Sequence, residues 1–325
     1  MERKKDFILI VSTISVPVIL ITGMLFIIAH YHQGEGAPVA TVSTPTPTPE
    51  PPPKSFPEVS IKASAAIVFD TQTNNVLFAK NTDTALPLAS ITKLMTALVA
   101  AEIAPGYSLI TLDKDALSAE GDNGLRPNEI WKLQDLSDFT LTVSSNDGAR
   151  AIASAIGAWQ GIGLATGTQN SQSGREHFIS LMNQKAKKIG LTLTDFKNES
   201  GLDIDATTPG ARGSASDVSK LMTYILKFRP EIVDATRKEK IEVKSGSLIT
   251  HNASNTNEAI SKIPNIIASK TGYTDLAGGN LVVAFDGPRA QPHPIVIVVL
   301  GSTLEGRFTD TETLAQATED YLLKK

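Results

Sequence analysis

A stretch of 23 residues without a charge, Phe7 to Ala29, decides how this 325-residue chain can be organised. At about 1.5 Å of rise per residue, a helix of that length spans roughly 30 Å, the thickness of bilayer hydrocarbon. No face of it is polar, so it does not read as the wall of a soluble core, and Pro17 is tolerated in a membrane span. Arg3, Lys4 and Lys5 precede the run, and no Lys or Arg follows until Lys54. That asymmetry predicts residues 1–6 on the cytoplasmic side of the cytoplasmic membrane and everything beyond residue 30 outside. The rival reading is a cleaved signal peptide, whose apolar core is usually shorter and closes on an A-x-A-like site. Ile28-Ala29-His30-Tyr31 offers no such site, and an uncleaved single-pass anchor over 7–29 is expected.

Residues 30–57 follow as a spacer. Thr44-Pro45-Thr46-Pro47-Thr48-Pro49 and Pro51-Pro52-Pro53 cannot pack a core and favour extended polyproline II. At about 3.1 Å per residue the segment from Gly34 reaches roughly 70 Å, enough to hold a domain off the bilayer.

From residue 58 to 325 the pattern is globular. Ala65 to Phe69 and Val76 to Phe78 flank Asp70-Thr71-Gln72-Thr73-Asn74-Asn75, turn-formers between two apolar runs, which predicts a hairpin. Ser90–Ala104, Leu133–Ile156, Glu176–Ile189 and Ala215–Phe228 carry apolar residues at three- and four-residue spacing and predict helices. Strands are expected again at Ile266–Lys270, Asn280–Phe285 and Ile295–Leu300, with a turn around Gly287-Pro288 and a closing helix over Asp310–Leu323. Trp159–Arg175, rich in Gly, Thr, Gln and Ser, reads as a mobile loop. Strands at both ends with helices between predict an α/β (α+β) domain: one antiparallel sheet built from both chain ends, with a helical subdomain inserted.

Composition removes several classes of function. A net charge of -4 and a pI near 5.8 lack the basic surface of a nucleic-acid protein. The absence of cysteine excludes thiol nucleophiles and thiolate-held metals. His30, His32, His177, His251 and His293 form no H-E-x-x-H pattern, and there is no P-loop or dinucleotide fingerprint. No metal or other cofactor is expected.

Three short motifs remain, each unremarkable alone. In Ser90-Ile91-Thr92-Lys93, at the start of a predicted helix, residues three apart share a face. Lys93 can therefore reach the Ser90 hydroxyl, which needs such a base to become a nucleophile. A chain of this length contains on the order of one S-x-x-K by chance, and an N-cap serine with a solvated lysine explains it equally. Ser144-Ser145-Asn146 places three poor helix-interior residues inside an apolar segment, where Asp147 also permits an ordinary N-cap. Lys270-Thr271-Gly272 ends an apolar run, and its glycine lets another chain approach the strand edge. Lys244-Ser245-Gly246 competes with it but leads into Thr250 to Asn257, which reads as a loop.

Taken in this order, the three motifs resemble the S-x-x-K, S-x-N, K-T-G set of penicillin-binding proteins and serine β-lactamases. Leu86-Pro87-Leu88-Ala89-Ser90 through Thr96, Phe178 to Asn183, Gly201-Leu202-Asp203, Ser214 to Asp217 and Lys270 to Thr274 are similar to the low-molecular-mass serine D-Ala-D-Ala carboxypeptidases, peptidase family S11. The resemblance covers roughly residues 60 to 325 and implies a β-lactamase/transpeptidase-like fold and an acyl-enzyme mechanism. It implies Ser90 as nucleophile, Lys93 as base, Ser144 as proton relay and Asn146 as the group that holds the substrate amide. Lys270, Thr271 and Gly272 would line the site, with the first two meeting the substrate carboxylate and the Ser90 and Tyr273 N–H groups forming an oxyanion hole. The family often places an arginine near that carboxylate, here Arg307, although an exposed surface arginine fits the position equally. The implied partners are peptidoglycan stem peptides ending in D-Ala-D-Ala, β-lactams as acylating inhibitors, and the membrane through Phe7 to Ala29.

Two departures stand out. Asn198-Glu199-Ser200 replaces the family's Asn-Pro-His or Asn-Pro-Asn, which puts a carboxylate near the site; Glu199 is expected to be solvated. The C-terminal β-domain and amphipathic anchor of many relatives are not seen, which leaves anchoring to 7–29. The rival activities are a D,D-endopeptidase, a serine β-lactamase and a non-catalytic penicillin-recognising module. The β-lactamase is disfavoured by Ser145 in place of the aspartate of S-D-N and by the lack of an E-x-x-L-N loop.

Overall fold

The computed structural model describes residues 55–121, 124–158, 164–165, 171–288 and 292–323. The expected cytoplasmic tail, the anchor over 7–29 and the spacer up to residue 54 lie outside the described residues. Among the described residues no helix is long and apolar enough to cross a membrane.

Strands β1 (Ala65–Asp70) and β2 (Asn75–Lys80) form the expected N-terminal hairpin. Helices α1 (Lys93–Ile103), α2 (Leu133–Val143), α3 (Asn146–Gly157), α4 (Ser171–Lys188) and α5 (Ala215–Phe228) follow. A second hairpin, β3 (Lys240–Lys244) and β4 (Thr250–Ser254), leads to β5 (Ile266–Thr274), β6 (Gly278–Asp286), β7 (Pro294–Ser302) and α6 (Gly306–Leu323). The main sheet runs β5-β6-β7-β1-β2, antiparallel throughout. Both chain ends therefore build one sheet, with the helices between them in sequence.

Both faces of that sheet are covered. Val282, Ala284, Val296, Val298, Ala65 and Ile67 pack into the core shared with α1 to α5. Their alternating neighbours Leu281, Val283, Phe285, Ile295, Ile297, Val299, Ala66 and Val68 meet Phe308, Leu314 and Leu322 of α6. Side chains alternate across a strand, so a sheet covered twice needs unbroken apolar runs, and β6 and β7 carry them. Helix α1 passes through the core with Leu94, Met95 and Leu98 fully buried, and a helix apolar on every side is a buried helix.

Five expectations change in detail. Ser90 lies on a 3-10 turn, Ala89–Thr92, and the α-helix begins at Lys93. The stretch Leu133–Ile156 is two helices, because Ser144 adopts a left-handed conformation (φ 62°) that ends α2. Part of the expected loop Trp159–Arg175 is helical: α4 starts at Ser171, where packing of Phe178 and Met182 overrides a polar, glycine-containing start. The closing helix starts at Gly306 rather than Asp310. Thr250–Asn257, expected as a loop, contains β4, in which His251 and Ala253 point inward in a period of two. His251 accounts for that strand: it bonds Glu129 at 2.6 Å and sits against the Trp131 ring, contacts beyond the reach of local pattern.

Candidate active site

The cleft is built at the β5 edge of the sheet, where the turn before α1 meets the inserted helices. The turn is fixed from the sheet side by Asn280 of β6. Its amide donates to the Pro87 carbonyl (2.9 Å) and accepts from the Gly301 N–H (2.8 Å), stitching the segment before Ser90 to β6 and β7. Asn280 was not singled out for this; its polar head on an apolar strand was the available signal. Ala89, at φ +48°, occupies the left-handed region immediately before Ser90, a strained placement held by its surroundings.

Lys93 is fully buried. Its Nζ donates to Ser90 Oγ (2.7 Å), Asn146 Oδ1 (2.7 Å) and the Ser200 carbonyl (3.0 Å). These three acceptors use all three ammonium hydrogens. Two of them are carbonyl oxygens and have no proton to give. When Lys93 is neutral, Ser90 is therefore the partner that can turn and donate its proton to the free lone pair. Burial pushes Lys93 down to about 7, opposed by the charge of Glu199, so the neutral form is accessible near neutral pH.

The break between α2 and α3 explains three small polar residues in a row. Ser144 ends α2 and projects toward β5, where its hydroxyl accepts from Lys270 Nζ at 2.8 Å. Ser145 supplies the N-cap of α3, accepting from the Gly148 N–H at 3.0 Å. Asn146 begins α3, with its carbonyl on Lys93 and its amide on the Glu120 carbonyl at 2.7 Å. The capping reading holds for Ser145, and the flanking pair faces the cleft.

Strand β5 supplies the opposite wall. Lys270 is buried and also donates to the Thr271 carbonyl (2.9 Å). Burial holds its ammonium well below its ordinary range, and the positive charges of Lys93 and Arg307 add to this. Thr271 bonds Thr256 through their hydroxyls at 2.5 Å. Gly272 is needed for the approach: a Cβ there would lie 2.9 Å from the Leu88 carbonyl and 3.2 Å from the Ser90 nitrogen. Tyr273 is exposed at the mouth. Arg307 is 8% exposed, so the surface reading does not hold; its Nη1 donates to the Gly272 carbonyl at 3.0 Å. The competing Lys244-Ser245-Gly246 lies outside this cleft, at the turn of the β3–β4 hairpin with Lys244 exposed.

The back of the cleft is the segment Asn198 to Asp203. Asn198 accepts from the Gly201 N–H, and Asp203 accepts from Thr274 Oγ1 at 3.0 Å, tying the loop to the end of β5. Gly201, at φ +81°, turns the chain where a side chain would collide with the Ala89 carbonyl. Glu199 is not solvated: it is 4% exposed, with its carbonyl held by Thr96 of α1 at 2.6 Å and its carboxylate 3.6 Å from Arg175. No metal-binding cluster of His, Cys, Asp and Glu is found among the described residues.

Known proteins resemble this chain in sequence and in fold. The model of the D-alanyl-D-alanine carboxypeptidase family matches residues 48–303. The chain is 31% identical over 270 residues to D-alanyl-D-alanine carboxypeptidase DacC of Escherichia coli, covering 78% of this chain and 60% of that protein. It is 29% identical over 227 residues to DacF of Bacillus subtilis, covering 68% and 53%. It is 28% identical over 258 residues to a D-alanyl-D-alanine endopeptidase of Pseudomonas aeruginosa, covering 77% and 74%. The chain thus spans little more than half the length of the two carboxypeptidases. Penicillin-binding protein D2 of Listeria monocytogenes, solved in its ampicillin-bound form, superposes with a TM-score of 0.66 at 26% identity, over 81% of this chain and 99% of that one.

Proposed function

The chain belongs to the D-alanyl-D-alanine carboxypeptidase family, and on that premise we propose that it removes the terminal D-alanine from peptidoglycan stem pentapeptides through an acyl-enzyme on Ser90. The observation that carries the reading is the Lys93 ammonium, buried and spent on Ser90, Asn146 and Ser200. Loss of its proton leaves Ser90 as the one partner able to donate.

In this mechanism Ser90 Oγ attacks the carbonyl between the last two D-alanines as its proton passes to Lys93. The Ser90 and Tyr273 N–H groups receive the developing oxyanion; the close seating of Gly272 against Ser90 supports that pairing. The C–N bond breaks, and the leaving amine takes a proton relayed through Ser144. Lys270, Thr271 and Arg307 make the positive, hydroxyl-lined end that suits the substrate carboxylate, and Asn146 holds the substrate amide. Water then cleaves the ester, releasing the shortened peptide and free Ser90. β-Lactams enter the same path and stop at the acyl-enzyme. The reading extends to a domain held outside the cytoplasmic membrane by the span 7–29 and the spacer 30–57, supported by the distribution of basic residues.

A second reading, D,D-endopeptidase on cross-links, is favoured by the larger share of the Pseudomonas endopeptidase that the chain covers. Incubation with a stem pentapeptide and, separately, with a cross-linked dimeric muropeptide decides between them. Free D-alanine from the pentapeptide with an intact dimer supports the carboxypeptidase. Monomers from the dimer with an intact pentapeptide support the endopeptidase.

A further inference from the structure

Glu199 takes no part in the steps above, and its surroundings are unusual for a carboxylate. One oxygen lies 3.6 Å from Nε of Arg175 on α4, and the other is buried without a hydrogen-bonding partner among the described residues. An ionised carboxylate is costly to bury unless it is paired and hydrogen-bonded, and a single guanidinium beyond hydrogen-bond distance offsets this only in part. The main chain fixes it there. Thr96, one turn after Lys93 on α1, holds the Glu199 carbonyl at 2.6 Å, and the next carbonyl, that of Ser200, accepts from Lys93 Nζ at 3.0 Å. The carboxylate is coupled to the Lys93 ammonium through space rather than paired with it.

The other charges around Lys93 are few. Lys270 faces it from β5, with Arg307 of α6 behind. Arg175 stands behind Glu199, and Asp115 lies 3.7 Å from Arg175. Helix α3 presents the neutral Asn146, while its Asp147 turns to the Ala119 N–H at 3.0 Å. Glu199 is thus the carboxylate that opposes the effect of burial on Lys93.

We propose that Glu199 is a positioning residue: clamped by Arg175 at the back of the cleft, its carboxylate holds Lys93 in the ammonium form, seated on its three acceptors, and so sets how readily the lysine is released as a base. The inference rests on the reading of Lys93 as the base for acylation. Burial and Glu199 act on the lysine in opposite directions. Removing the carboxylate favours neutral Lys93 and moves the rising limb of the acylation profile to lower pH.

The test is the rate of acylation of the full chain by a fluorescent penicillin between about pH 5 and 9. In Glu199→Gln the rising limb moves down by roughly one pH unit, the scale of removing one neighbouring opposite charge. In Glu199→Asp, which keeps the charge, it stays near that of the parent. In Arg175→Gln, where the carboxylate acts unopposed, it moves up; this variant carries the test alone if Glu199→Gln does not fold. A rate lowered equally at every pH, with no movement of the limb, overturns the proposal. So does an unmoved limb with slowed loss of the adduct, which would make Glu199 the base for the deacylating water. If the parent forms no adduct on Ser90, or Lys93→Met acylates as fast as the parent, the underlying mechanism fails instead. That result is distinguishable, because failure of the Glu199 proposal alone leaves the parent acylating normally.

Discussion

Strand β6 and the lining of the cleft are buried to the same degree for opposite reasons. Leu281 to Phe285 are solvent-free, and so, within a few per cent, are Lys93, Lys270 and Glu199. In the strand, burial is itself the driving force, at about 25 cal/mol for each Å² of apolar surface removed from water. In the cleft, burial opposes the charged groups and is offset only by particular partners: Ser144 and a carbonyl for Lys270, three acceptors for Lys93. The sheet is a source of stability, and the cleft spends part of it to keep two ammonium groups out of water, where their charge is most easily altered and most strongly felt by a substrate.

Exchanging chemistry between the two regions breaks the comparison most sharply. Lys270→Met removes a buried charge and leaves a side chain of similar length. Replacing buried ionic groups by packed apolar ones is often neutral or stabilising, so the melting temperature is expected to hold or rise. Acylation by a fluorescent penicillin should nonetheless fall by roughly 10²- to 10³-fold, the scale of losing one charge-stabilising group. A variant that melts much earlier would place Lys270 among the structural groups and end the contrast.

Leu281→Ala does the reverse. It empties part of the contact between β6 and α6 and is expected to cost about 2–5 kcal/mol, read as a shifted denaturation midpoint. Its acylation rate at 25 °C should fall far less than that of Lys270→Met, because Leu281 packs among the apolar side chains facing α6.

The smallest effect separates a third kind of burial. Asp138, on α2 and away from the cleft, is pushed up to about 7 by burial and by Asp135 and Asp234, against a hydrogen bond from Gln134. A carboxyl raised on folding favours the protonated native state. Its destabilising effect is therefore absent below about pH 4, grows between about pH 4 and 7, and is complete above. Asp138→Asn keeps an acceptor for Gln134 and should stabilise the chain by about 1 kcal/mol at pH 8, roughly 2–4 °C in melting temperature, and by nothing at pH 4. Thermal melts at the two pH values check this; equal gains at both would contradict it.

The same division governed what the sequence revealed. The sheet was legible because period-two and continuous apolar runs report a face covered by other residues, and β1, β6 and β7 carry those runs plainly. Helix α5 was legible to the residue, and the structure adds Ser214 as its cap. The gap between α2 and α3 was not, since a left-handed Ser144 is imposed by its neighbours in space and leaves only small polar residues in the sequence. Hairpin β3–β4 was hidden by its polar composition, although Lys240-Ile241-Glu242-Val243-Lys244 alternates. In the cleft the motif residues were legible as types, and the structure brings Ser90, Lys93, Ser144, Asn146, Lys270 and Gly272 together. Glu199 was misread because exposure is the ordinary fate of a glutamate; the bond from Thr96 to its carbonyl and the Arg175 side chain beside its carboxylate are contacts that local pattern does not report.

The central claim is that Ser90 is the nucleophile. The direct measurement is to incubate the chain and its Ser90→Ala variant with a fluorescent penicillin, digest both, and locate the label by mass spectrometry. A persistent adduct is expected on the peptide carrying Ser90, absent from the variant. A label elsewhere, or a drug hydrolysed or left intact without any adduct, would contradict it.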